Sequence, residues 1–116
     1  AKALQPGSAL IRQNLGRAQA AAGRFDDSVA ELEEAARRTP ENAGVLLELG
    51  QALNRVGRSR DALPYLGTAA RIDQGNAEIF TTIGLTFADL GEFDRAEQGY
   101  RFALQAQPDY APAYLN

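Results

Sequence analysis

The sequence predicts an all-α chain built from three stacked helical hairpins. Three observations carry that expectation. Glycines recur at a fixed period: Gly16, Gly50 and Gly84 stand 34 residues apart, and Gly23, Gly57 and Gly91 keep the same spacing. Apolar residues fall at helical intervals within each period, as with Leu46, Leu49, Leu53 and Val56. Punctuation falls in register, with Gly57 closing the first helix of the middle period and Pro40 and Pro108 standing where second helices should stop. Such a period marks a supersecondary unit that buries its apolar face only by stacking on copies of itself.

Six helices are expected near 9–22, 25–38, 43–56, 59–72, 77–90 and 93–106, in repeats 9–42, 43–76 and 77–110. The first carries Leu15-Gly16, with polar Arg12 and Gln19 at positions that are apolar in later periods. Asp26 and Asp94 stand where second helices should start, and Asp is a favoured N-cap. The fourth helix carries Leu63, Leu66 and Ala70 on one side. Pro64 lies about one turn into it, so a slight kink or an irregular first turn is expected. The fifth carries Ile79, Phe80, Ile83, Phe87 and Leu90 before Gly91.

The glycines at 16, 50 and 84 lie inside their helices, where each costs about 1 kcal/mol relative to Ala. Their small counterparts are Ser28, Ala62 and Ala96, again one period apart. Gly and its small partner are therefore read as the point where the two helices of a hairpin cross closely.

With 116 residues, 45% of them hydrophobic, the chain makes a single domain with a core. A net charge of −3 argues against nucleic acid as the main partner. The chain has no Cys or His, so it lacks a thiol nucleophile, the usual base of a triad and the commonest zinc ligands. No catalytic, cofactor or metal site is expected. Asp26, Asp27, Glu31, Glu33 and Glu34 read as a solvated helix face, with Glu33–Arg37 and Glu34–Arg38 at the favourable i, i+4 spacing. Nothing approaches the ~18 apolar residues of a membrane span, and no signal-peptide pattern opens the chain. The compartment stays open, with cytoplasm favoured over periplasm. Abundant Ala and the dominance of Arg over a single Lys (Lys2) point to a GC-rich bacterial source.

Both ends look like cut repeats. Residues 1–8 read as the close of a preceding repeat or a linker, with Pro6 one period before Pro40. Residues 111–116 read as the opening of a fourth, with Ala111 in register with Ala77 and Tyr114 with Phe80. Such ends should leave apolar faces: Leu4, Leu10 and Ile11 at one, Phe102, Leu104, Tyr110, Tyr114 and Leu115 at the other. Self-association through these ends is expected.

These residues resemble the tetratricopeptide repeat. The third period fits best, through Phe80, Ile83-Gly84, Phe87, Ala96, Tyr100 and Pro108. The second fits with aliphatics, Gln74 replacing the proline, and the first diverges most. The likeness spans 9–110. It implies a right-handed superhelical stack of antiparallel hairpins, a solenoid whose first helices line a concave groove. It also implies a protein-interaction scaffold that binds a peptide or protein segment there and is not an enzyme. By the same resemblance the groove carries Gln13 and Arg17 from the first repeat, Leu47, Gln51, Asn54 and Arg55 from the second, and Thr81 and Leu85 from the third. Amides there can bond a peptide backbone, and Leu47 and Leu85 can hold a side chain. Chaperone-binding members carry a clamp of Lys, Asn and Arg for a terminal carboxylate. Here Glu48 and Glu78 fall among the corresponding groove positions and would repel one. The alternative function is the non-catalytic repeat region of a larger enzyme, such as a glycosyltransferase or peptidase.

Overall fold

Six α-helices follow one another: α1 Pro6–Ala21, α2 Phe25–Arg38, α3 Ala43–Arg55, α4 Ser59–Ile72, α5 Ala77–Asp89 and α6 Phe93–Ala106. The computed structural model describes residues 6–107, and no strand occurs among them. Pro108, Leu4, Tyr110, Tyr114, Leu115 and the proposed opening of a fourth repeat lie outside the described residues. Helices α1 and α2, α3 and α4, and α5 and α6 form the hairpins, while α2 packs on α3 and α4 on α5. The result is a right-handed superhelical stack measuring 46 × 26 × 22 Å.

The turns within hairpins follow from the second glycine series. Gly23, Gly57 and Gly91 have φ of 81°, 82° and 79°, a left-handed conformation that costs Gly little. Each turn closes when the next residue donates its N–H back into the helix: Arg24 to the Gln19 carbonyl at 2.8 Å, Arg58 to Leu53 at 2.8 Å, Glu92 to Phe87 at 2.9 Å.

The capping differs from expectation. Asp26 and Asp94 are not N-caps: Arg24 and Glu92 occupy those positions and make no side-chain cap bond. The aspartates sit within the first turn, where their charge complements the helix dipole. The side-chain caps belong instead to the first helices of two repeats. Asn42 Oδ1 accepts from Val45 N–H at 3.1 Å, and Asn76 Oδ1 from Glu78 at 2.9 Å and Ile79 at 3.4 Å. One period earlier stands Ser8, already inside α1, because that helix begins at Pro6 rather than Ala9.

Pro64 leaves α4 unbroken but changes its first turn. Helices α2 and α6 open on bonds four residues long, Ser28 N–H to Arg24 and Ala96 N–H to Glu92, both 3.0 Å. Helix α4 opens on a tighter one, Asp61 N–H to Arg58 at 3.1 Å.

The main core gathers Leu32, Leu49, Leu53, Leu66 and Ile79, all at most 1% exposed. Here the close-crossing idea needs correction. A Cβ on Gly16, Gly50 or Gly84 would strike Leu32, Leu66 or Tyr100, at 2.9, 2.5 and 2.6 Å respectively. These mid-helix glycines are sockets for one large side chain from the second helix. The backbone itself comes nearest in the third hairpin, where a Cβ on Gly99 would lie 2.9 Å from Gly84 Cα, while in the first a Cβ on Gly16 would lie 3.4 Å from the Ser28 carbonyl oxygen. On the charged face of α2 the expected Glu34–Arg38 pair forms, whereas Glu33 does not pair with Arg37. Glu34 takes both Arg37 at 2.5 Å and Arg38 at 2.8 Å, and these bonds, Arg37 first, hold its carboxyl below the usual value. Glu33 reaches across the repeat boundary to Arg58 at 3.8 Å.

Candidate functional site

The first helices of the three repeats lie side by side, α1 touching α3 and α3 touching α5. Their inner faces, with the start of α2, enclose an open pocket of about 670 Å³. Arg17, Gln51, Asn54, Arg55 and Leu85 all line it, so five of the eight groove residues expected from sequence come together. Gln13 sits beside it, its Nε2 donating to Glu48 Oε1 at 3.1 Å. Leu47 and Thr81 do not join. They are 7% and 5% exposed, and Leu47 belongs to the main core. Both hold the fifth position of their repeats, where this stack buries the side chain.

Across the pocket runs a ladder of polar bonds from one repeat to the next. Arg17 donates to Glu48 Oε2 from Nε at 2.9 Å and from Nη2 at 2.8 Å. Gln51 Nε2 reaches Glu78 at 3.2 Å and Thr82 at 3.4 Å. Asn54 Nδ2 donates to Thr86 Oγ1 at 2.8 Å. The bonds keep register: the ninth residue of one repeat meets the sixth of the next, as Arg17 meets Glu48 and Gln51 meets Thr82.

The ladder also fixes which groups donate and which accept. The Thr86 hydroxyl spends its one proton on the Thr82 carbonyl at 2.7 Å, so it can only accept from Asn54. That orients the Asn54 amide and leaves Oδ1 without a partner. The Ser28 hydroxyl, also on the pocket wall, has none either. Glu48 is neutralised by Arg17, whereas no cation pairs with Glu78 or Asp89 among the described residues. Arg55 lies over the Phe25 ring, 5.4 Å from its centroid. Phe25, Ser28 and Leu32 are pocket residues that the sequence reading missed, since the groove was assigned to first helices alone. The available signal was Phe25 itself, an aromatic directly after the Gly23-Arg24 turn.

No helix among the described residues is long and apolar enough to cross a membrane. Nor does any cluster of three or more His, Cys, Asp or Glu among them suit a metal ion.

A search of curated proteins finds no match. Solved structures match closely in shape. The first tetratricopeptide domain of Spaghetti (RPAP3), bound to the HSP90 peptide SRMEEVD, superposes with a TM-score of 0.90 at 16% identity, covering 97% of this chain and 89% of that one. MamA gives 0.88 at 22% identity over 95% of this chain and 64% of that one. YrrB, described as having an unusual peptide-binding site, gives 0.90 at 20% identity over 93% and 56%. At such identities the likeness establishes the fold alone. Residues 14–77 match the family model of the tetratricopeptide repeat. With more than half of its length matched, and its helices stacked in that family's arrangement, the chain belongs to the tetratricopeptide repeat family.

Proposed function

We propose that this chain is a protein-interaction module that holds an extended peptide segment across α1, α3 and α5. The observation that carries this reading is the pocket itself. Side chains of Arg17, Gln51, Asn54 and Arg55 line it together with Leu85, which is 42% exposed. An extended strand offers backbone groups to such polar side chains and its own side chains to the aliphatic surface. Arg17, Gln51, Asn54, Arg55 and Leu85 are the contact residues, Gln13 flanks them, and Leu47 and Thr81 act from behind by fixing the spacing of the helices.

The fold is one that holds peptides in Spaghetti, but the charge here points to another peptide class. Arg17 is tied to Glu48, Asp89 on the pocket wall offsets Arg55, and Glu78 accepts from Gln51. A terminal carboxylate gains little in such a groove, whereas an internal segment with a basic or neutral side chain fits it. A net charge of −3 likewise leaves nucleic acid without an electrostatic footing.

Fluorescence anisotropy against a library of extended peptides tests the proposal. The triple variant Arg17→Ala, Gln51→Ala, Arg55→Ala should weaken every hit at least ~10-fold, and SRMEEVD should not be among the hits. Undiminished binding by the triple variant would remove the groove from consideration.

A further inference from the structure

The two boundaries between neighbouring repeats use the same positions with different chemistry. At the first boundary these positions hold Ala20, Phe25, Ala52 and Arg55; 34 residues on, at the second, they hold Asn54, Ser59, Thr86 and Asp89. The second set closes on itself. Asn54 donates to Thr86 at 2.8 Å and Ser59 to Asp89 at 3.4 Å, and Ser59 and Thr86 are 6% and 0% exposed. The first set has no such bonds to make, since alanine methyls and a phenyl ring stand in place of the amide and the hydroxyls. All of its members line the pocket, together with Ala21 and the buried Leu32.

We propose that this first boundary seats one aromatic side chain of the bound segment, against Phe25, the methyls of Ala20 and Ala21, and the Arg55 guanidinium. The inference rests on the groove reading above and names the anchor that the segment carries. Arg55 is what selects a ring. Its guanidinium lies 5.4 Å from the Phe25 centroid and makes no ion pair among the described residues. A planar cation has two faces. One is given to Phe25, and because Arg55 is exposed a second ring can take the other.

Charge selects a neutral guest. Arg17 is held by Glu48 at 2.8 Å, and Asp89 on the pocket wall balances Arg55. A guest carboxylate would compete with Glu48 and meet Asp89, while a guest ammonium would sit beside Arg55. An uncharged ring disturbs neither balance and covers the apolar surface of Ala20, Ala21, Phe25 and Leu85. The second boundary offers no equivalent seat, because its amide and hydroxyls are already spent on one another. The groove therefore takes one anchor and not a row of them.

Positional-scanning peptide pools, each with its central residue fixed, test the anchor by fluorescence anisotropy. Pools fixed as Phe, Tyr or Trp should bind at least ~10-fold more tightly than pools fixed as Ala, Lys or Glu. Ala21→Leu adds bulk at an exposed helix position and should remove most of that preference. Phe25→Ser, which installs the residue of the second boundary, should do the same. Circular dichroism checks that each variant is folded, and Ala21→Leu decides alone if Phe25→Ser is not. Arg55→Gln should weaken the aromatic pools more than a pool fixed as Leu. Equal binding by all pools overturns the anchor, and the groove reading then stands if Arg17→Ala with Gln51→Ala weakens them. A Lys-fixed pool that binds best overturns it too, as does an aromatic preference that Ala21→Leu leaves intact. Binding by no pool overturns both readings.

Discussion

Leu66 occupies the space that a Cβ on Gly50 would need: its Cδ2 lies 2.5 Å from that point and its Cγ 2.6 Å. Leu66 is 0% exposed and cannot swing away into solvent. The pairing repeats as Gly16 with Leu32 and Gly84 with Tyr100, so the helix penalty of each glycine is offset by seating one large side chain.

Gly50→Ala should therefore destabilise, although alanine is the better helix former. The propensity gain of about 1 kcal/mol is set against overpacking of about 1–3 kcal/mol. Gly50→Leu should cost more than about 3 kcal/mol, and Gln51→Leu next to it should be nearly neutral. In a Leu66→Ala background the socket is empty, and Gly50→Ala should turn neutral or stabilising. Urea melts of the four chains measure this; additive effects of the two alanines would sink the socket account.

The asparagine caps should matter unequally. Asn76 accepts two backbone N–H groups and Asn42 one. Replacing either by Ala should cost about 1 kcal/mol, with Asn76 the larger. Asp26→Ala and Asp94→Ala should cost less, since those carboxylates act only through the helix dipole. Thermal melts at matched ionic strength would expose the reverse order.

Glu48 holds the groove's main cation. Its two oxygens take Gln13 and Arg17, and the pair is partly exposed. Glu48→Gln should change stability by less than about 1 kcal/mol, yet free the Arg17 guanidinium. Affinity for the acidic peptide SRMEEVD should then rise from the parent level, measured by anisotropy at low salt, and fall again as salt is added. An unchanged affinity would mean that Arg17 does not face the bound peptide.

Much of this architecture was legible because helix ends are set locally. Gly23, Gly57 and Gly91 can take positive φ cheaply, so they placed three turns to within a residue or two. The groove was legible only in part. Arg17, Gln51, Asn54, Arg55 and Leu85 meet in the pocket because a repeat carries its periodicity into space. Leu47 and Thr81 share the fifth position and go inward, which depends on how closely adjacent first helices approach; spacing along one helix says nothing of that. Ser28 does pass Gly16, its carbonyl oxygen 3.4 Å from where a Cβ would stand, but the side chain in the socket is Leu32, which the sequence did not point to. Size alone could not distinguish a socket from a bare crossing.

Tyr100 gives the stack a specific alkaline weakness. Its ring fills the Gly84 socket, and burial pushes its phenol above the ordinary value of 10.0, with the nearby Asp89 carboxylate adding to the shift. A raised acid keeps its proton longer in the folded chain than in the unfolded one. Below the unfolded value, near 10.0, both states hold the proton and the phenol makes no pH-dependent difference. Above it the unfolded chain releases the proton first, so stability falls as pH rises toward the folded value. Tyr100→Phe keeps the ring in its socket and removes the proton. Its stability relative to the parent should be constant up to about pH 9 and improve steadily above pH 10. Asp89→Asn removes the smaller cause and should recover only part of that gain. Denaturant midpoints between pH 8 and 11 decide the matter: parallel curves for parent and Tyr100→Phe would show that the phenol titrates alike in both states.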